Sequence, residues 1–170
     1  MQEEILLDEN GYNEFMKEYE YSFKVKSIKP YIDYWISNNY KEVNVVKQNR
    51  IIFENKNSKN IIARITINDK NEISLDFKNV CNNKEDLNIS KESLPIILTE
   101  DNIENIKSIL DVLEFYETAN NIRIRYIYEL NGVMFEIDDY INPKMQVVAI
   151  EGEKEIVDKV YNDIKGSNLW

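Results

Sequence analysis

Glu18-Tyr19-Glu20-Tyr21-Ser22-Phe23-Lys24-Val25-Lys26 sorts its side chains by parity. Even positions carry charge or, at Ser22, a hydroxyl; odd positions carry aromatic or aliphatic groups. A β-strand has a side-chain period of two, so the stretch predicts a strand with one charged and one apolar face. The apolar face needs cover, which helices would supply. The charged face is either solvent surface or the lining of a polar cavity, and the other strands decide between the two.

Later stretches repeat the pattern. Arg64 and Thr66 face away from Ala63, Ile65 and Ile67, and Ser74, Asp76 and Lys78 oppose Ile73, Leu75 and Phe77. Arg123 and Arg125 share a face, as do Glu136 and Asp138 opposite Phe135 and Ile137. Ala149 and Glu151 oppose Val148 and Ile150. A one-sided antiparallel sheet with its charged face in water accounts for such alternation. Two features favour a cavity instead. The charge-bearing strands are many, whereas helical periodicity offers only about three helices to cover one side. Like charges also recur two residues apart, in acid pairs (Glu18/Glu20, Glu136/Asp138) and base pairs (Lys24/Lys26, Arg123/Arg125). A sheet curled into a barrel, charged face inward, would gather them into a site for a polyanion and divalent cations.

The composition narrows the chemistry. A chain of 170 residues is long enough for one domain with a sizeable core, and eleven tyrosines and six phenylalanines argue against disorder. No apolar run approaches the ~20 residues that span a bilayer. The start Met1-Gln2-Glu3-Glu4 is acidic where a signal peptide is basic, so a cytoplasmic protein without membrane partners is expected. The single cysteine, Cys81, cannot form an internal disulfide, and with no base nearby it is assigned no chemistry. A net charge of −10 argues against gripping a nucleic-acid duplex, though not against a locally basic pocket. There is no histidine, which removes Ser-His-Asp and Cys-His nucleophiles and histidine metal sites; with one cysteine, thiolate zinc sites go too. A metal here would be a hard cation on carboxylate oxygens: Mg²⁺, Mn²⁺ or Ca²⁺.

Residues 1–17, acidic and with a turn signal at Asn10-Gly11, read as an N-terminal extension, and 18–170 as a single domain. After the first strand, Ser27 is the expected cap of a helix through Trp35 that tolerates Pro30 in its first turn. Strands are expected at 42–47, 50–54, 60–68 and 72–80, then a polar connector over 81–100 with an apolar patch at Leu94 to Leu98. Asp101 would cap a second helix presenting Ile103, Ile106, Ile109, Leu110 and Leu113. Strands at 115–121, 122–130, 132–140 and 145–151 follow, with Asn131-Gly132 as a hairpin turn. A last helix over 153–165 would present Ile156, Val157, Val160 and Ile164, and Asn168-Leu169-Trp170 form an apolar tip for the barrel or a second subunit. Hairpin-linked strands interrupted by helices indicate α+β rather than βαβ units.

The motifs can be set in order: Glu18-x-Glu20-x-Ser22-Phe23, Lys47-Gln48-Asn49-Arg50-Ile51-Ile52-Phe53, Asn60-Ile61-Ile62-Ala63-Arg64-Ile65 and Leu75-Asp76-Phe77-Lys78. Arg123-Ile124-Arg125 follows, then Tyr128 and Gly132, Glu136-Ile137-Asp138 and Val147-Val148-Ala149-Ile150-Glu151-Gly152. This succession over residues 18 to 165 resembles the CYTH superfamily, or triphosphate tunnel metalloenzymes, which includes class IV adenylyl cyclases, thiamine triphosphatases and inorganic triphosphatases. The resemblance implies a closed or nearly closed antiparallel eight-stranded β-barrel, a tunnel, with helices packed outside. It implies one or two Mg²⁺ or Mn²⁺ ions, with Glu18, Glu20, Glu136, Asp138 and Glu151 as metal-holding or water-positioning carboxylates. A small-molecule triphosphate or polyphosphate would lie among Lys26, Arg64, Lys78, Arg123 and Arg125. Glu18, Glu20 and Lys24 are the expected catalytic residues.

The sequence departs from the family pattern at three places. Ser22 stands for the signature lysine, Ile62 for an arginine and Ala149 for a glutamate. Each lost cation removes a charge-assisted phosphate contact of ~1.5–3 kcal/mol. Lys24, one inward position beyond Ser22, is the residue that would reach back in its place. The first reading is a divalent-metal-dependent hydrolase of a nucleoside, thiamine or inorganic triphosphate. The second is a degenerate tunnel that binds a phosphorylated ligand without turnover, and a third an interaction domain with solvated charges. A class IV-type adenylyl cyclase, in which a ribose hydroxyl attacks the α-phosphorus, is a further alternative, weakened because the family's His-Phe segment is missing at 47–54. A homodimer is left open.

Overall fold

The parity rule that organises Glu18 to Val25 runs through most of the molecule. The computed structural model describes residues 17–167, and the expected N-terminal extension and the Asn168-Leu169-Trp170 tip lie outside them, apart from Lys17. In chain order the elements are β1 (Lys17–Val25), α1 (Lys29–Ser37), β2 (Lys41–Asn55), β3 (Ile61–Asn68), β4 (Ile73–Lys84), β5 (Leu87–Glu92) and β6 (Ile96–Leu98). A 3₁₀ turn (Glu100–Asn102) leads into α2 (Ile103–Val112), followed by β7 (Phe115–Leu130), β8 (Val133–Asn142), β9 (Met145–Glu151) and α3 (Lys154–Gly166).

Eight strands close into an antiparallel barrel. Starting from β1 the circular order is β9, β8, β7, β2, β3, β4 and β5, which pairs again with β1. β6 is a ninth strand, laid against β4 with Ile73 opposite Leu98 and Leu75 opposite Ile96. The fold is α+β, a closed eight-stranded tunnel with helices outside, as the resemblance implies.

The apolar parity faces outward and the helices cover it in two places. Trp35 of α1 and Val157, Tyr161 and Ile164 of α3 pack on Phe23, Phe135, Ile137, Val148 and Ile150 of β1, β8 and β9. The Trp35 and Phe135 rings lie 4.3 Å apart between centroids, and both side chains are fully buried. On the opposite wall, Leu110 of α2 joins Ile51, Phe53, Ala63, Ile65 and Leu75 of β2, β3 and β4. Each fully buried large apolar side chain contributes about 1.5–3 kcal/mol. With both external faces occupied by apolar cover, the charged parity is left for the interior.

Some boundaries differ from expectation. Residues 42–54 form one strand, because Lys47, Gln48 and Asn49 pair without interruption with Ile124, Arg123 and Ile122. Residues 115–130 are likewise continuous, since a paired ladder satisfies backbone groups that weak local propensity would release as a turn. The connector expected over 81–100 instead holds the end of β4, all of β5 and β6. β5 is a strand despite its polarity because its ladders are filled on both sides, by β1 and β4, and its Asn88 and Glu92 line the tunnel.

The helix ends shift too. α1 is preceded by Ile28 rather than Ser27 in the capping position, and Pro30 does sit in its first turn. α2 begins after the 3₁₀ turn, where the Thr99 N–H donates to Asn102 Oδ1 at 3.0 Å. Ile109, Leu113 and Ile156 fall off the buried stripes and are exposed. The hairpin at Asn131-Gly132 is as expected, with φ of +50° and +77°, the left-handed pair of a type I′ turn.

Candidate functional site

Tracing ladder partners around the barrel, with a step of two residues on each strand, gives a circuit that closes. Glu20 faces Glu151; two residues on, Ala149 faces Glu136, then Asp138 faces Arg125 and Arg123 faces Gln48. Arg50 then faces Thr66, Arg64 faces Asp76, Lys78 faces Glu92, and Ser90 faces Glu18, one step from Glu20. The inward side chains therefore lie in layers. One layer is acidic, with Glu18, Asp76, Glu92, Glu136 and Glu151 beside a single arginine, Arg125. The next is basic, with Arg50, Arg64, Lys78 and Arg123 beside Glu20 and Asp138. These side chains line a cavity of about 590 Å³.

Ion pairs hold the layers in register. Arg125 donates to Asp138 through Nε at 2.7 Å and Nη2 at 2.8 Å, and its Nη1 lies 2.8 Å from Glu136 Oε2. Arg123 Nη1 reaches Asp138 Oδ2 at 2.8 Å and Tyr140 Oη at 3.3 Å, while its Nε donates to Gln48 Oε1 at 2.9 Å. Arg64 forks onto Asp76 and reaches Glu92 Oε1 at 3.0 Å. Lys78 Nζ sits 3.4 Å from Glu18 and 3.3 Å from Glu92. Asp138 thus has both carboxylate oxygens committed to guanidinium groups. It orients Arg123 and Arg125 and has little left for a metal.

Glu18, Glu20 and Glu151 are differently placed. One carboxylate oxygen from each lies within 4.8 Å of the others. Burial, a hydrogen bond with Glu92 and the nearby Glu20 and Glu151 push the Glu18 carboxyl up to about 9, against Lys78. Burial and the charges of Glu136, Glu20 and Glu92 raise Glu151 to about 7. Glu92 goes the other way: burial alone would raise it, but the Glu18 hydrogen bond, Arg64 and Lys78 hold it near 2. Protons thus stand in for missing positive charge. An all-oxygen set of carboxylates suits a hard divalent cation.

Arg50 has the opposite imbalance. Burial, then the guanidinium groups of Arg123, Arg64 and Arg125, lower its affinity for a proton. Among the described residues it takes part in none of the ion pairs that engage Arg64, Arg123 and Arg125. A guanidinium keeps its charge, and Arg50 feels Asp138 only at a distance, so it is a cation without a direct ion pair in the middle of the basic layer, suited to an anion brought from outside.

Of the residues expected from sequence, Glu18, Glu20, Arg64, Lys78, Arg123, Arg125, Glu136, Asp138 and Glu151 line the cavity together. Lys24 and Lys26 are exposed and lie outside that lining. Reasoning from sequence missed Arg50, Gln48, Glu92 and Tyr140 as lining residues; Asp76 was placed on the inward face but given no role. Arg50 was within reach, because it shares the parity of Gln48 and opposes the apolar Ile51 and Phe53; reading a break near Gln48 hid it.

No family model matches the sequence, and no curated protein matches it. Solved structures do match. A conserved hypothetical protein from Pyrococcus furiosus is 22% identical with a TM-score of 0.68, covering 85% of this chain and 88% of its own. A Hippeastrum adenylyl cyclase candidate with a dominant triphosphatase activity is 13% identical with a TM-score of 0.65, covering 88% and 85%. A chain of the Schizosaccharomyces pombe Mediator head module is 9% identical with a TM-score of 0.62, covering 89% and 94%. At these identities the likeness establishes the fold alone, a closed antiparallel β-tunnel.

Proposed function

We propose that this CYTH-like tunnel is a divalent-metal-dependent hydrolase of a triphosphate-bearing small molecule. The observation that carries the reading is the layering: a convergent carboxylate triad beside a basic layer whose central arginine, Arg50, makes no ion pair among the described residues. Arg50, Arg64, Arg123 and Arg125 would hold phosphate oxygens by charge-assisted hydrogen bonds, with Lys78 as a further cation. Asp138 keeps the Arg123 and Arg125 forks aimed across the cavity. Glu18 and Glu20 would hold a Mg²⁺ or Mn²⁺ ion, which supplies charge neutralisation and Lewis acidity to the phosphate chain. Glu151, the third carboxylate of the cluster, would orient an attacking water and accept its proton. The water oxygen bonds to the terminal phosphorus, the bridging P–O bond breaks, and the basic residues stabilise the charge that moves to the leaving phosphate.

A second reading rests on Ser22, Ile62 and Ala149, neutral where the resembling family has Lys, Arg and Glu. On it the tunnel binds a phosphorylated ligand without turnover. Phosphate release from tripolyphosphate, ATP and thiamine triphosphate with Mg²⁺ or Mn²⁺, beside ligand-induced thermal stabilisation, separates the two. Turnover supports hydrolysis; stabilisation alone supports binding. Silence in both removes the phosphate site.

A further inference from the structure

The charged layers account for only part of the cavity wall. Continuing in the same direction along the strands, beyond the basic layer, come Ser22, Ile62, Val80, Asn88, Tyr140 and Val147, all in the cavity lining. Each is half-buried, and none carries a charge at neutral pH. The change is abrupt: one inward step takes β3 from Arg64 to Ile62, β4 from Lys78 to Val80, and β8 from Asp138 to Tyr140. The polar members are arranged rather than scattered. Asn88 Nδ2 donates to Ser22 Oγ at 3.1 Å, which leaves the amide oxygen and the hydroxyl hydrogen for a third group. Tyr140 is fixed at the boundary, its hydroxyl accepting from Arg123 and its ring centroid 5.9 Å from that guanidinium carbon.

We propose that this neutral collar receives the uncharged organic part of a phosphate ester, so that the ligand is an organic triphosphate and not free inorganic polyphosphate. The inference rests on the reading of the charged layers as the phosphate site. A phosphate extending past those layers would exchange water for aliphatic walls and one amide, with no cation to replace the lost hydration. An uncharged group, in contrast, gains apolar contact with Ile62, Val80 and Val147, an aromatic edge at Tyr140, and orientation from Asn88 and Ser22. Ser22 and Ile62 are two of the positions where the resembling family has cations. Their neutral side chains thus read as a choice of substrate.

The test is calorimetric titration of the full chain in Mg²⁺ with tripolyphosphate, ATP and UTP, for the wild type, Tyr140→Phe, Tyr140→Ala and the double variant Ser22→Lys/Ile62→Arg. At least one ester is expected to bind about tenfold more tightly than tripolyphosphate. Tyr140→Ala reduces ester affinity more than tripolyphosphate affinity, while Tyr140→Phe, which keeps the ring, retains the preference. The double variant gains about tenfold for tripolyphosphate and loses the ester preference. Tripolyphosphate binding as tightly as, or more tightly than, both esters overturns the inference and leaves the phosphate site standing. Absence of binding by all three overturns the phosphate site itself and the inference with it. The wild-type comparison decides the matter even if a variant does not fold.

Discussion

Arg125 grips Asp138 with two parallel bonds, Nε to Oδ1 at 2.7 Å and Nη2 to Oδ2 at 2.8 Å, on the tunnel wall. Arg123 shares the same carboxylate. Removing it leaves two buried guanidinium groups facing each other. Asp138→Ala is therefore expected to destabilise the protein by about 3–5 kcal/mol, the range for breaking a buried pair from one side. Urea unfolding measures this. A loss under 1 kcal/mol would mean that the arginines find other partners, and the clamp would not be what positions them.

Arg50→Ala has the reverse signature. With no direct ion pair to lose, its removal relieves repulsion from Arg64, Arg123 and Arg125 and gives up only a longer-range attraction to Asp138, so stability should change little. Affinity for a triphosphate should fall by about ten- to a hundredfold, the worth of one charge-assisted hydrogen bond. Exposed Lys24 should matter less, and a Lys24→Ala effect equal to that of Arg50→Ala would return the signature role to Lys24.

Stability of the metal-free protein should fall as pH rises. Glu18 is raised from an ordinary 4.5 to about 9 and Glu151 to about 7, each first by burial. Both keep their protons in the folded chain where the unfolded chain has lost them. The folded state binds more protons from about pH 4.5 upward, and stability declines through 7 towards 9. Glu92, held near 2, acts in a separate window, contributing stability above its ordinary range that is lost as the solution is acidified towards 2. Melting temperatures in EDTA between pH 5 and 9 should decline less in Glu18→Gln than in the wild type, and Mg²⁺ should flatten the wild-type slope. Parallel slopes would contradict the burial of an uncompensated carboxylate cluster.

Much of this was legible in the sequence, because period two is a strong signal wherever one face is buried. Glu18/Glu20, Arg64, Lys78, Arg123/Arg125 and Glu136/Asp138 could all be assigned to one face by parity. What parity cannot give is layer height. Asp138 and Glu151 look alike in sequence, yet the strand offset sets one between two arginines and the other with Glu18 and Glu20. β5 was not visible because Leu87–Glu92 is polar and short, and its strand character comes from two neighbours rather than from its own propensity. Arg50 was lost to a polar triplet that local rules read as a break.

Gly152 is a sharp test of barrel closure. Its φ is +153°, and a Cβ there would lie 2.8 Å from the Gly132 carbonyl oxygen. Gly152→Ala has to move the β7–β8 hairpin or the end of β9, next to Glu151. A loss of about 1–3 kcal/mol is expected from the strained backbone, read by thermal unfolding. A neutral outcome would show that the hairpin and β9 are not in rigid contact.

The proposed hydrolysis requires the carboxylate triad and the basic layer to act together on a triphosphate. The most direct measurement is phosphate release from a triphosphate panel with and without Mg²⁺ or Mn²⁺, in the wild type and in Glu18→Gln/Glu20→Gln. Divalent-dependent release is expected from the wild type and none above background from the variant, whose fold is verified by its melting transition. Release that survives in the variant, or a wild type that binds triphosphate without releasing phosphate, would contradict the proposed hydrolysis.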